Sequence, residues 1–373
     1  MKVLHLAGNY EDAGGILSVI RHLQEATRPQ GWSHSVLVHR RYVETRQPAL
    51  DYRFSRFVCS ELTNHYEIAW RAALAVLEVR RLLAREPFDI VHAHSRCGFL
   101  VAFGISSWLR RRVLFTNHDY ARRVRMYHRA ANYRNFYTVL LTPNMARHYG
   151  LREQPPKVNV ISACCGDRFF NEPLAPESPP PANTRTLRLV GAGSILRWKK
   201  WDLLAQALTE LNDSERKRID ISIWGPVVQT DPDSPRYETE LRQCLKRQGL
   251  EERMALRGSA SAMTEKLRQA DWFVLPSTNE PCSVALMEAL ALGLPALVSA
   301  SGGNIDIVRD RETGCFFEPG NPTDLANKLR AILDCQIPVW PAKKIRESVL
   351  HRSATAVSRK YDALYRELVA ACD

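Results

Sequence analysis

The sequence predicts an α/β fold built from two doubly wound domains, and three observations carry that prediction. Short, mostly apolar runs alternate with amphipathic helical stretches along most of the 373 residues. A proline-rich segment interrupts the alternation near the middle, and the alternation then restarts. The length suits two domains of ordinary size, each with its own core.

In the first half, Val3–Ala7, Ser35–Val38, Asp89–Ala93, Val113–Thr116, Val139–Thr142 and Val158–Ile161 read as strands. Runs that are apolar throughout suit a parallel sheet covered on both faces. Between Ile68 and Leu83 apolar residues recur at helical spacing, and Pro87 marks the end of that helix. The segment Asn171–Asn183 has five prolines and almost no bulky apolar residue, so it reads as a semi-extended linker. A second series follows at Leu187–Gly193, Ile221–Trp224, Met254–Arg257, Trp272–Leu275 and Ala296–Ser299. From Thr355 to Val369 a last amphipathic helix carries Tyr361, Leu364, Tyr365 and Leu368 on one stripe. The expected division is therefore 1–170, a linker over 171–186, and 187–351, with the last helix (about 352–373) packing back on the first domain. Two such domains facing each other across a cleft can hold a ligand at the carboxyl ends of both sheets.

Composition narrows the function classes. With 45% hydrophobic and 25% charged residues the chain reads as a globular protein, and no apolar run approaches the ~20 residues that span a bilayer. Met1-Lys-Val-Leu-His-Leu-Ala enters a strand directly and lacks a signal peptide's cleavage region. Nine cysteines, an odd number with no C-x-x-C pair, point to reduced thiols in a cytoplasmic protein rather than to a disulfide framework or a zinc site. The net charge of +12 is concentrated in residues 1–150, where 22 Lys and Arg stand against 11 Asp and Glu. Arg110–Arg112, Arg122, Arg123, Arg125 and Arg129 supply much of that excess. A solvated surface, an anionic acceptor, the inner face of an anionic membrane and nucleic acid all fit the charge alone.

The stretch most informative about chemistry is Glu280-Pro-Cys-Ser-Val-Ala-Leu-Met-Glu288. It follows the strand 271–277 and enters a helix over Val284–Leu292 that Gly293-Leu-Pro295 stops. The first N–H groups of such a helix, and its dipole, suit a phosphate. Eight helical residues rise ~12 Å, a span resembling that from a sugar across a diphosphate to a ribose. Glu288 leans back toward the helix N-terminus. A sugar nucleotide is the ligand this arrangement fits.

The order P-S-x-x-E-x7-E-A-x-A-x-G-x-P, followed by Gly302-Gly303, resembles the GT-B retaining glycosyltransferases of glycosyltransferase family 4. Gly14-Gly15 in the first strand–helix loop, Asp89–Ser95, Phe115–Asp119, Lys199–Leu204, Thr313-Gly314 and Pro319-Gly320 extend the resemblance over the whole chain. It implies a metal-independent hexosyltransferase that needs no cofactor and uses a nucleotide-diphosphate-sugar donor. Its acceptor would be a glycan, a lipid-linked molecule or another anionic molecule, in cell-surface polysaccharide or glycolipid synthesis.

By the same resemblance Lys199 contacts the donor diphosphate, where it would neutralise charge on the leaving phosphate. Glu280 binds the transferred sugar and Glu288 the ribose. The N–H groups of Cys282, Ser283 and Val284 cradle the diphosphate, while Pro281 has none to offer. Gly14 and Gly15 let backbone approach the phosphate. Ser194 and Gly225 belong to the donor-binding loops; Ser194 stands where the family usually has an arginine, so Arg197 is the candidate to supply that charge. Lys200 replaces the family's usual glycine, which predicts a differently shaped loop. His118, after the strand 113–116, is expected near the reacting carbon, oriented by Asp119. Of His92 and His94, on a buried strand, at least one is expected to be structural.

Asp231-Pro-Asp233 has the D-x-D spacing of cation sites in the other large glycosyltransferase fold, but it reads as a solvated loop. Neither G-x-S-x-G nor G-x4-G-K-[ST] occurs. The rival readings are a nucleotide-sugar epimerase on the same fold and a non-catalytic nucleic-acid-binding protein.

Overall fold

A computed structural model of the chain describes residues 1–12, 14–44, 49–59, 64–108, 112–174, 186–260, 262–338 and 340–370. Most of the linker expected over 171–186, together with Arg110, Arg111 and Cys372, lies outside them. The chain divides into two compact units, Met1–Cys164 with Ala354–Asp373, and Cys165–Ser353.

The first unit runs β1 (Lys2–Leu6), α1 (Gly15–Thr27), β2 (Ser33–His39), β3 (Asp51–Ser55), α2 (His65–Arg85), β4 (Ile90–Ala93), α3 (Arg96–Trp108), β5 (Val113–Asn117), α4 (Arg125–Ala131), β6 (Phe136–Leu140), α5 (Pro143–Tyr149) and β7 (Val158–Val160). Its seven strands lie in the order β3-β2-β1-β4-β5-β6-β7, and every pair is parallel. The order reverses between β1 and β4, where His5 stands opposite His92 in register. Helix starts follow capping chemistry: Asn64 accepts from Glu67 N–H at 2.8 Å to begin α2. Thr142 does the same for α5, with Pro143 behind it. That cap corrects the expected strand 139–142, which sits earlier at Phe136–Leu140 because Thr142-Pro143 already belongs to the helix.

The second unit begins with α6 (Arg168–Asn171) and continues through β8 (Leu187–Ala192), α7 (Trp201–Thr209), α8 (Asp213–Lys217), β9 (Ile219–Trp224), α9 (Asp233–Arg247), β10 (Met254–Leu256), α10 (Met263–Arg268), β11 (Trp272–Leu275), α11 (Val284–Ala291), β12 (Ala296–Ser299), α12 (Asn304–Ile307), β13 (Gly314–Phe317), α13 (Pro322–Leu333) and α14 (Ala342–Val349). Six parallel strands lie in the order β10-β9-β8-β11-β12-β13, again reversing beside the first strand of the unit. Residues 165–170 belong to this unit, so the division falls earlier than position 170. The last helix, α15 (Ala354–Ala370), belongs to the first unit and buries the whole stripe Tyr361, Leu364, Tyr365 and Leu368 there.

Two strands escaped the sequence reading, and both are sheet edges. β3 carries Asp51-Tyr-Arg-Phe-Ser55, with only Ser55 fully buried, so it lacks the apolar run that marks an interior strand. β13 is a Gly-Cys-Phe-Phe segment read as a closing loop.

Candidate functional site

One cluster of candidate residues lies in the second unit, at the carboxyl ends of β8, β11 and β12. After β11 the chain turns through Pro276–Ser283 before α11 begins, and bonds on two sides fix that turn. On one side, Thr278 N–H donates to the Trp198 carbonyl at 3.0 Å, tying the turn to the Arg197–Lys199 helical turn after β8. On the other, Gly303 N–H donates to the Glu280 carbonyl at 2.6 Å, and the hydroxyls of Ser299 and Ser301 both donate to the Ser277 carbonyl. Gly302 adopts φ +57, and a Cβ there would stand 2.6 Å from both the backbone N and O of Glu280. Only glycine lets this segment lie against the Glu280 backbone.

These ties bring Lys199 and Glu280 together. Lys199 Nζ lies 2.6 Å from Glu280 Oε2, with both side chains more than nine-tenths buried. The ammonium also lies 4.3 Å from the ring centroid of half-exposed Trp198, a cation–π contact. Ser283 caps α11, its hydroxyl accepting from Leu286 N–H at 3.2 Å. Cys282 is buried, with Sγ 4.0 Å from the guanidinium of Arg352, which also donates to the Asp306 carbonyl. Val284 and Glu288 lie on α11, each partly exposed. Lysine and glutamate thus meet, three residues ahead of the cap of α11, and Trp198 and Thr278 tie the turn around them without a sequence signal that could have singled them out.

Other expected residues sit differently. Gly225 approaches Gly193 so closely that a Cβ would lie 2.0 Å from the Gly193 carbonyl oxygen, and the Ser194 carbonyl accepts from the Trp201 indole. Arg197 does not supply the charge missing at Ser194: its guanidinium is held by Asp233 at 2.8 Å and Glu240 at 2.8 Å on α9. Asp233 is therefore the first residue of a helix and a partner of Arg197, which corrects the loop reading of that position. Lys200 does not reshape its loop either; at φ 56 and ψ 38 it takes the left-handed conformation that favours glycine.

In the first unit, Gly14 adopts φ +88 at the start of α1, and a side chain there would meet open space. Beside it, buried Asp12 is clamped by both terminal nitrogens of Arg21, at 2.9 and 2.6 Å, which anchors the glycine loop to the helix it precedes. His118 follows β5 and is half-buried, with Nε2 3.1 Å from Nδ1 of His94. Asp119, the expected orienting group, instead pairs with Arg96. Burial holds His118 down to about pKa 4 and keeps it neutral near pH 7.

Among the described residues one trio of metal-capable side chains comes together, His5, His92 and His94, with candidate atoms within 4.8 Å of one another. Every ring nitrogen of the three is already in a hydrogen bond. His5 bonds His94 and His34, His92 bonds Tyr365 and Thr116, and His94 bonds His5 and His118. The trio is a hydrogen-bonded core, and both His92 and His94 are structural in that sense.

Two parallel Rossmann-like sheets, one in each unit, are the architecture of the GT-B class of glycosyltransferase. Solved structures share that architecture over the full chain. Sucrose-phosphate synthase from Thermosynechococcus elongatus matches with a TM-score of 0.80 at 19% identity, covering 99% of each chain. The Anabaena protein HepE, in complex with UDP and glucose, matches at 0.75 and 17%, covering 98% of this chain and 100% of that one. Residues 13–162 match Glycosyltransferase Family 4 and residues 178–348 match Glycosyl transferases group 1. The chain belongs to this family of glycosyltransferases. Among curated relatives, D-inositol 3-phosphate glycosyltransferase from Nocardiopsis dassonvillei is 28% identical over 59% of this chain and 51% of its own length. N-acetyl-alpha-D-glucosaminyl L-malate synthase from Bacillus anthracis is 29% identical over 37% of this chain and 36% of its own. The chain thus spans about half or less of the relatives it matches.

Proposed function

We propose that this chain transfers a hexose-type sugar from a nucleotide-diphosphate donor to an acceptor hydroxyl, with retention of anomeric configuration and without a metal. The observation that carries the reading is the buried Lys199–Glu280 ion pair in the turn that leads into α11. A buried ammonium at a helix N-terminus attracts a diphosphate twice over, by its own charge and by the dipole behind it. As the glycosidic bond breaks, negative charge grows on the leaving phosphate. Lys199 and the amides of Ser283 and Val284 stabilise it there, the work a divalent ion does elsewhere. Glu280 accepts hydrogen bonds from the sugar, Glu288 from the ribose, and His118 serves the sugar near its reacting carbon. The acceptor attacks from the face the phosphate leaves, and a phosphate oxygen takes its proton. The HepE complex with UDP and glucose supports the donor class by likeness of fold.

The acceptor in this reading is anionic, either a glycan or a lipid-linked molecule in cell-surface polysaccharide or glycolipid synthesis. The names of two relatives include inositol 3-phosphate and malate, both anions. Arg122, Arg123, Arg125 and Arg129 are all exposed. The enzyme works in the cytoplasm, docked on the inner membrane face: no helix among the described residues is long and apolar enough to cross a membrane, yet α2 exposes Tyr66, Trp70, Leu74 and Leu77 along one side with Arg80, Arg81 and Arg85 beyond.

Thermal shift against UDP, GDP, ADP and their sugar conjugates tests the donor class; stabilisation by none of them removes it. The anomeric coupling of the product tests retention, and full activity in excess chelator tests metal independence. Co-sedimentation with anionic vesicles, lost at high salt, tests docking; equal binding to neutral vesicles counts against it.

A further inference from the structure

Five side chains run in one hydrogen-bonded line through the first sheet. Thr27 Oγ1, at the end of α1, lies 2.9 Å from His34 Nε2. His34 Nδ1 lies 2.9 Å from His5 Nε2, and His5 Nδ1 lies 2.8 Å from His94 Nε2. His94 Nδ1 in turn lies 3.1 Å from His118 Nε2. Thr27, His34, His5 and His94 are buried, whereas His118 is half-buried. The rings are uncharged near pH 7, because burial lowers the pKa of each; His34 falls to about 4, with the chain's N-terminal charge adding to the effect.

A neutral imidazole carries one N–H and one lone pair, so each bond in the line dictates the next. The far end sets the direction. The Thr27 hydroxyl has a single proton and donates it to the Leu23 carbonyl at 2.7 Å. Its oxygen must therefore accept from His34 Nε2–H, leaving His34 Nδ1 as a lone pair. His5 then donates through Nε2, His94 through Nε2, and His118 through Nε2. We propose that Thr27, His34, His5 and His94 are positioning residues that lock His118 as its Nε2–H tautomer, so that it offers the lone pair of Nδ1 to a ligand. His118 then accepts a hydrogen bond from a sugar hydroxyl and donates none through that nitrogen. The line ends on a backbone carbonyl, which cannot hold a proton, so it fixes a tautomer and does not conduct protons away.

The consequence for the donor rests on the glycosyltransferase reading; the tautomer does not. The test is long-range proton–nitrogen NMR on the whole protein with 15N-labelled histidine, the His118 signals being assigned from His118→Gln. The wild type is expected to give Nε2–H at His118, and an Nδ1–H signal there overturns the proposal. Thr27→Val removes the anchor and strands the His34 N–H without an acceptor. Reversing every ring relieves it, moving the proton to Nδ1 at His118 where water is in reach. His118 should therefore switch tautomer in Thr27→Val and switch back in Thr27→Ser. A folded Thr27→Val whose His118 signals do not move refutes the role of Thr27 as anchor. Should Thr27→Val fail to fold, the wild-type spectrum still decides. Donor Kd is expected to rise by about 2–10-fold in Thr27→Val, the worth of one hydrogen bond. If the tautomer switches as described but His118→Ala binds UDP-sugars like wild type, the donor role of His118 fails and the tautomer line stands.

Discussion

Two buried polar clusters, one in each unit, are built in opposite ways. The one in the second unit holds full charges, Lys199 against Glu280, whereas the one that threads the first sheet holds uncharged rings, from His34 through His5 and His94 to His118, apart from the Asp12–Arg21 pair that anchors the glycine loop. Burying two charges carries a large desolvation cost that their attraction only partly offsets, and in the function proposed above the Lys199–Glu280 pair is kept for a charged ligand. The histidine line has little net charge to desolvate, but it depends on every member being hydrogen-bonded. One arrangement is suited to sensing a diphosphate, the other to holding a geometry.

The largest effect that breaks this contrast is removal of one charge. Lys199→Ala or Glu280→Ala leaves the partner buried and unpaired, at a cost of about 3–5 kcal/mol, while turnover falls by more than about tenfold. Urea unfolding with far-UV circular dichroism reads the first and initial rates the second; wild-type turnover in both variants excludes them from the site. The double replacement Lys199→Met with Glu280→Leu should recover much of the stability and none of the activity.

Next in size is the acid response of the rings. The folded protein keeps His34 uncharged down to a pKa of about 4, whereas the unfolded chain takes its proton near 6.5. Stability is thus fully present above pH 6.5 and is lost as the pH falls from there toward 4, by about 3 kcal/mol for this ring alone. His34→Gln should flatten the slope of Tm in that window; an unchanged slope would mean His34 titrates normally. Gly302→Ala follows: a Cβ at φ +57 meets the Glu280 backbone, and the strain costs about 1–2 kcal/mol with a loss of donor affinity. Lys200→Gly goes the other way, relieving a left-handed lysine by about 1 kcal/mol, visible as a raised Tm. Smallest is Arg197→Ala. Its pairs with Asp233 and Glu240 are half-exposed, so it should cost at most about 1 kcal/mol and change turnover little; a large loss of turnover would return Arg197 to the donor site.

What the residues announced and what they hid follow the same physics. Interior strands announce themselves because both faces are covered, so Trp272–Leu275 and Ala296–Ser299 were legible. β3 did not, since this edge strand is exposed or half-buried along most of its length and has no continuous apolar run, and β13 did not because its four residues begin at the glycine of a segment read as a closing loop. Lys199 and Glu280 were legible by resemblance, although 81 positions separate them. The histidine line was not, because Thr27, His34, His5 and His94 come from four segments that only the strand order brings side by side. Lys200 misled for a different reason: a lysine can be forced into a glycine's conformation when its surroundings fix the backbone.

One feature of the first unit bears on how the protein is made. His92 Nδ1 lies 2.5 Å from the hydroxyl of Tyr365 on α15, and Thr116 lies 3.1 Å from that of Tyr361. The ribosome delivers these tyrosines only after the entire second unit has been synthesised. At typical speeds of 5–20 residues per second that is a wait of about 10–40 s, during which the nascent amino-terminal half has a sheet whose polar interior lacks its cover. Chaperones are expected to hold it through that interval, and ribosome-bound chains stalled before residue 361 should be cut by protease within residues 1–164 far faster than the finished protein.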